Sequence, residues 1–129
     1  MDTDGHGSQL VEGALTHSVL GAAFEFLNTL GHGLREKTYE RALVVEFGLR
    51  GLVFERQRTF DVFYKDMRVD EFVPDLVVAG KVIVDTKVVD RLGDIERGQM
   101  LNYLRITGLE VGLLLNFKRP KLEWERIVL

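Results

Sequence analysis

Asp75 and Asp85 stand ten residues apart, the first preceded by Pro74 and the second opening the tripeptide Asp85-Thr86-Lys87. Between them runs Leu76-Val77-Val78-Ala79-Gly80-Lys81-Val82-Ile83-Val84. Two short apolar stretches flanking Ala79-Gly80 predict a hairpin, with two carboxylates and an amine at its open end. Alternation puts Val82, Val84 and Thr86 on one face of the second strand and Ile83, Asp85 and Lys87 on the other. Asp75 falls opposite Asp85 if the loop holds an odd number of residues, for example Ala79-Gly80-Lys81 with a bulge. Two acids on a buried sheet are costly unless a cation offsets them. A divalent metal is the natural candidate. Carboxylates bind Mg²⁺ through hard oxygens, and the metal polarises a phosphate and lowers the pKa of bound water. Lysine then orients or deprotonates that water, or stabilises the charged phosphorane. Taken alone, the same residues also fit a solvated strand end with a minor salt bridge.

Two further sets carry polar chemistry. Glu36 stands in Gly33-Leu34-Arg35-Glu36-Lys37-Thr38-Tyr39. Its position also suits an ordinary first-turn glutamate favoured by the helix dipole, and Tyr39 suits half-buried packing. Glu40 reads as a solvated neighbour. Gln99 and Tyr103 are four apart on a predicted helix, hence on one face, and both can hydrogen-bond a phosphate or a metal-binding acid. His6, His17 and His32 show no zinc-like spacing. Arg35, Lys37, Arg41, Arg91, Arg97 and Arg105 lie on or beside the predicted helices, where each most simply belongs to a solvated face.

The elements that must position these residues follow from periodicity. Leu15, Val19, Ala22, Phe26 and Leu30 form one stripe of a helix over 11–30, broken at Gly31-His32-Gly33. A second helix is predicted over 34–50, ending at Gly51. Strands are expected over 52–64, 69–78 and 81–88, with a turn at Lys65-Asp66-Met67. A helix starts near Asp94 and stops at Gly108. Residues 111–117 are apolar throughout and predict a strand buried on both faces. Residues 124–129 give a last, edge strand. A strand following a helix implies a crossover onto a mixed sheet, hence an α/β or α+β layer fold.

Composition narrows the function classes. The 129 residues suit one domain over 11–129, with a polar, Gly-rich tail over 1–10 that reads as frayed or appended. There are no cysteines, which excludes disulfides, thiolate metal sites and a cysteine nucleophile in this sequence. That absence fits a reducing cytoplasm, and no apolar run is long enough for a bilayer. The net charge of −3 argues against nucleic-acid binding by bulk charge. It is compatible with a nuclease, whose acidic site is offset when metal is bound.

Together, the blocks resemble the PD-(D/E)xK nuclease superfamily, in the form Pro74-Asp75 … Asp85-Thr86-Lys87. More closely, the chain resembles the small GxxExxY proteins of that superfamily, through Gly33, Glu36 and Tyr39 and the later blocks Gln99-Met100-Leu101-Asn102-Tyr103-Leu104 and Gly112-Leu113-Leu114-Leu115-Asn116-Phe117. The resemblance implies a restriction-endonuclease-like core, with a mixed four-stranded sheet flanked by helices. It implies Asp75, Asp85, Glu36 and the Thr86 carbonyl as metal ligands, with Mg²⁺ or Mn²⁺ as cofactor. It implies Lys87 as the water-positioning base, and Gln99 and Tyr103, with Tyr39, as substrate-binding residues. Gln99 and Tyr103 match the QxxxY element of RecB-type exonucleases. The family's usual Glu is Asp85 here, which retracts the carboxylate by about 1.5 Å, one C–C bond, and predicts weaker Mg²⁺ binding or a preference for Mn²⁺.

Two functions from different classes result. One is a metal-dependent nuclease hydrolysing DNA phosphodiesters. The other is a weakly active or inactive nucleic-acid-binding or assembly module of a larger DNA-processing complex. The small size suggests selectivity through a homodimer or protein partner.

Overall fold

Glycine punctuation divides the chain where the helices stop. The computed structural model describes residues 12–129, so the expected tail over 1–10 lies outside the described residues. Helix α1 spans Gly13–Leu30, α2 spans Glu36–Arg50 and α3 spans Asp94–Thr107. Gly51 and Gly108 follow α2 and α3 at φ of 69° and 76°, the left-handed conformation in which glycine has no steric penalty. At the start of α3, the Gly93 N–H donates to Glu96 Oε1 at 2.7 Å, satisfying a donor that the helix leaves open.

Seven strands divide between two sheets: β1 Phe54–Arg56, β2 Phe60–Tyr64, β3 Met67–Phe72, β4 Leu76–Val78, β5 Val82–Lys87, β6 Val111–Asn116 and β7 Glu123–Val128. The main sheet has order β1-β4-β5-β6-β7. Only β5 and β6 are parallel, joined through α3. The sheet is therefore mixed, as expected, but has five strands rather than four. The added strand is β1, which pairs Phe54 with Val78 and Arg56 with Leu76.

Two expected strands are each split. The stretch 52–64 breaks at Gln57, which takes φ of 57°, a conformation that no strand accommodates. The stretch 69–78 breaks at Val73-Pro74-Asp75, where proline lacks the N–H a ladder needs. The released pieces, β2 and β3, pair with each other as a separate ribbon closed by Lys65-Asp66. Alternation cannot reveal this, because it fixes a strand's faces and not its partner.

The β4–β5 hairpin has the expected parity. Leu76 pairs with Val84, Val77 with Ile83 and Val78 with Val82. Three residues close it, Ala79 and Gly80 with positive φ, and the Lys81 N–H donates to the Val78 carbonyl at 2.9 Å. One step beyond Leu76–Val84, the register sets Asp75 opposite Asp85.

Each face of the sheet carries its own core. Val82, Val84, Val111, Leu113 and Leu115 pack with α1 and α2. Ile83 and Leu114 pack with Leu92, Met100 and Leu104 on the α3 side. All six residues of β6 are buried, as an inner strand of a covered sheet requires. Gly112 admits α3 closely, since a Cβ there would meet Met100 Sδ at 2.3 Å.

Candidate active site

The open end of the hairpin carries the predicted acids and the amine into one cleft. Its volume is about 240 Å³, and its wall includes Glu36, Asp75, Asp85, Lys87 and Tyr103. Asp85 and Lys87 share a face of β5, two residues apart, and Lys87 Nζ lies 3.3 Å from Asp85 Oδ2. Asp75 is anchored from below. The Thr86 N–H donates to its Oδ2 at 3.3 Å, with the Thr86 hydroxyl at 3.5 Å from the same oxygen. Thr86 itself is buried, and its hydroxyl donates to the Glu36 carbonyl at 3.4 Å. That contact ties the start of α2 to the cleft end of β5.

Electrostatics at the pair are unusual. Asp85 is pushed up to about 7, first by burial and then by Asp75, with Lys87 acting in the opposite direction. Burial also pushes the Lys87 ammonium down, but Asp85, Glu36 and Tyr103 outweigh it and the net direction is up. Lys87 is therefore held as an ammonium. The Tyr103 phenol is raised by burial and by Asp85, which keeps it a neutral donor.

The donor set fits a divalent cation in part. Asp75 and Asp85 offer hard oxygens facing each other, and burial, with Asp75 adding to it, raises Asp85. Glu36 lines the same cleft, but its Oε2 accepts the Val88 N–H at 3.2 Å. No group of three His, Cys, Asp or Glu side chains able to hold a metal is gathered among the described residues. The other carboxylate oxygen of Glu36 carries no such bond and is the one available to a metal.

Comparison with known proteins agrees with this geometry. A sequence model of the PD-(D/E)XK nuclease superfamily matches residues 13–127. The chain belongs to that superfamily. The solved crystal structure of SSO0001 has a TM-score of 0.57 to this fold, at 14% identity over 91% of this chain. At that identity the likeness concerns the fold alone, and this chain spans 58% of the SSO0001 chain. No curated protein matches.

Within this PD-(D/E)XK fold, three sequence readings need correction. Tyr39 is fully buried and stacks on Phe117 at 4.3 Å between ring centroids. Its hydroxyl donates to the Gly31 carbonyl at 2.7 Å and accepts the Leu34 N–H at 3.0 Å. With both roles used and no exposed surface, Tyr39 holds the 31–35 loop in place and is out of a substrate's reach. Glu40 is buried too, binding Lys37 at 3.1 Å and Arg56 at 3.7 Å. Gln99 is exposed and does not line the cleft, whereas Tyr103 does. Tyr103 is backed by Phe72 of β3, stacked at 4.1 Å.

One supporting residue escaped the sequence reading. Asn116 pairs beside Lys87 in the parallel ladder. Its Nδ2 donates to the Val89 carbonyl and to Glu123 Oε1, each at 2.8 Å, and its Oδ1 accepts the Val89 and Lys118 N–H groups. It clamps the segment just after Lys87. A lone amide closing an apolar strand was the available signal.

Proposed function

We propose that the protein is a divalent-metal-dependent nuclease hydrolysing DNA phosphodiesters, with residues 11–129 as one catalytic unit. The observation that carries this reading is the facing pair Asp75 and Asp85 with Lys87 at 3.3 Å, at the open end of one hairpin. Asp75, Asp85 and the Thr86 carbonyl would hold Mg²⁺ or Mn²⁺, with Glu36 joining through the oxygen that Val88 leaves free. When bound, the ion polarises the phosphate and lowers the pKa of a water molecule. Lys87, kept protonated beside Asp85, orients the attacking water in line and stabilises charge growing on the phosphate oxygens. Tyr103 donates to the substrate strand at the cleft wall.

The GxxExxY branch is the finer placement we favour. Gly33 takes φ of 80° and its N–H donates to the Phe117 carbonyl at 2.9 Å. Tyr39 fixes the other end of the same loop, so the motif's spacing sets where Glu36 enters the cleft.

Cleavage of labelled single- and double-stranded DNA with Mg²⁺, Mn²⁺ or EDTA tests the proposal. Metal-dependent cutting that disappears in Asp85→Ala is expected. A folded protein that cuts neither substrate with either metal overturns it. The lack, among the described residues, of a gathered group of three metal-holding side chains favours a second reading, a weakly active nucleic-acid-binding module. In that case divalent metal leaves the melting temperature unchanged, since no ligand linkage exists.

A further inference from the structure

Several of the cations in this acidic protein are held by carboxylates. Arg97 makes two bonds to Glu125 and one to Asp94. Lys37 and Arg56 share Glu40, Arg50 pairs with Glu46, Arg58 with Glu55 and Arg68 with Asp61. Arg91, Arg119 and Lys121 differ. None of them pairs with a carboxylate among the described residues. All three line a single pocket of about 450 Å³.

The place of that pocket is informative. Arg91 follows β5, and Arg119 and Lys121 sit between β6 and β7. These loops leave the same sheet end as Lys87, and Arg119 bonds the Asp90 carbonyl, joining the two loops. Asn116, the ladder neighbour of Lys87, lines the pocket as well. Two inter-strand spacings separate β5 from β7, about 10 Å. The one acid on the wall, Glu123, already accepts the Leu92 N–H and Asn116 Nδ2. Trp124, the chain's single tryptophan, lines the same pocket and is 41% exposed.

We infer that this pocket is a second nucleic-acid subsite, which takes the phosphates of a single-stranded stretch of substrate beyond the cleft. Unpaired cations beside an exposed aromatic are the arrangement that holds single strands without reading their sequence. It also gives a chain of net charge −3 a local cluster of positive charge for a polyanion. The inference rests on the nuclease reading for the identity of the strand.

Trp124 provides the readout. The full chain in EDTA, titrated with a single-stranded oligodeoxythymidylate of about 12 nucleotides, should show a saturable change in tryptophan fluorescence. The triple variant Arg91→Ala, Arg119→Ala, Lys121→Ala should bind about tenfold more weakly, and its salt dependence should flatten by about 2, near 0.7 for each phosphate the variant no longer neutralises. In a metal-loaded cleavage assay the same variant should raise KM more than it lowers kcat. Unchanged oligonucleotide affinity and an unchanged KM in the triple variant overturn the subsite, while cutting by the parent chain leaves the nuclease reading standing. Binding that depends on the three cations, with no cutting under any metal, overturns the nuclease reading and leaves the subsite.

Discussion

The two faces of the central sheet are built for different ends. Toward α1 and α2 the sheet is closed. Phe26, Tyr39 and Phe117 stack there, and the Tyr39 hydroxyl has both its hydrogen-bonding roles filled. Toward α3 the buried cluster is small, and it gives way at one end to the acidic cleft. One strand serves both. Val82, Val84 and Thr86 of β5 face the closed side, and Ile83, Asp85 and Lys87 face the other. Core packing on the closed side and the lining of the cleft are thus written on alternate residues of the same six-residue segment. A substitution should damage one with little effect on the other, according to its parity.

The sharpest test of that separation is Lys87→Ala. Cutting should fall by about a thousandfold, in the range seen when one preorganised donor to a developing anion is lost. The melting temperature should change little. Equal losses of fold and activity would break the comparison. The converse is Phe117→Ala, which removes the centre of the aromatic stack and should cost about 3–5 kcal/mol in denaturant unfolding. Residual folded protein should still bind divalent metal.

The third test uses pH. Asp85 holds its proton more tightly folded than unfolded, so the folded state binds more protons between its ordinary value of 3.8 and about 7. Stability should therefore fall as pH rises through that window. Asp85→Asn removes the titration and can donate to Asp75. It should stabilise the protein by on the order of 2 kcal/mol at pH 8 and by almost nothing at pH 3.5. Thermal melts of both chains across that range, without metal, check it. An equal difference at both ends of the range would mean that burial shape, and not charge, sets the effect. The smallest effect belongs to Tyr39→Phe. Losing its two hydrogen bonds should cost about 1–2 kcal/mol and lower cutting only through a looser Glu36 loop.

Much of this was legible in the sequence, and the pattern of misses has a physical cause. Gly51, Gly108 and Ala79-Gly80 mark boundaries through local backbone preference, so α2, α3 and the hairpin fell where expected. The faces of β5 followed from period two. What could not be read was partnership. Nothing local says that β2 leaves the main sheet for β3, or that the short β1 joins it. Glu40 was misread because the partner that helps bury it, Arg56, comes from β1. Tyr39 was misread because its phenol is taken by a loop that precedes it, at Gly31 and Leu34. Glu36, at the start of the same helix, did reach the cleft. The hairpin's own residues were legible, as were Glu36 and Tyr103 from the helices, whereas Tyr39 and Glu40 were blurred by tertiary partners that no local pattern shows.

The three-residue loop of Ala79, Gly80 and Lys81 has a consequence for how this chain tolerates insertions and deletions. Opposed residues of an antiparallel pair share a face, so the loop's odd length is what brings Asp75 and Asp85 together. A single residue added there leaves the acids facing each other if the turn takes it up as a longer loop; if it passes into the ladder instead, one strand turns over and carries its acid and its core residues to the wrong faces together. Changes of two residues leave both acids facing the same way. Length variation in this turn should therefore cost the cleft only where it also costs the core.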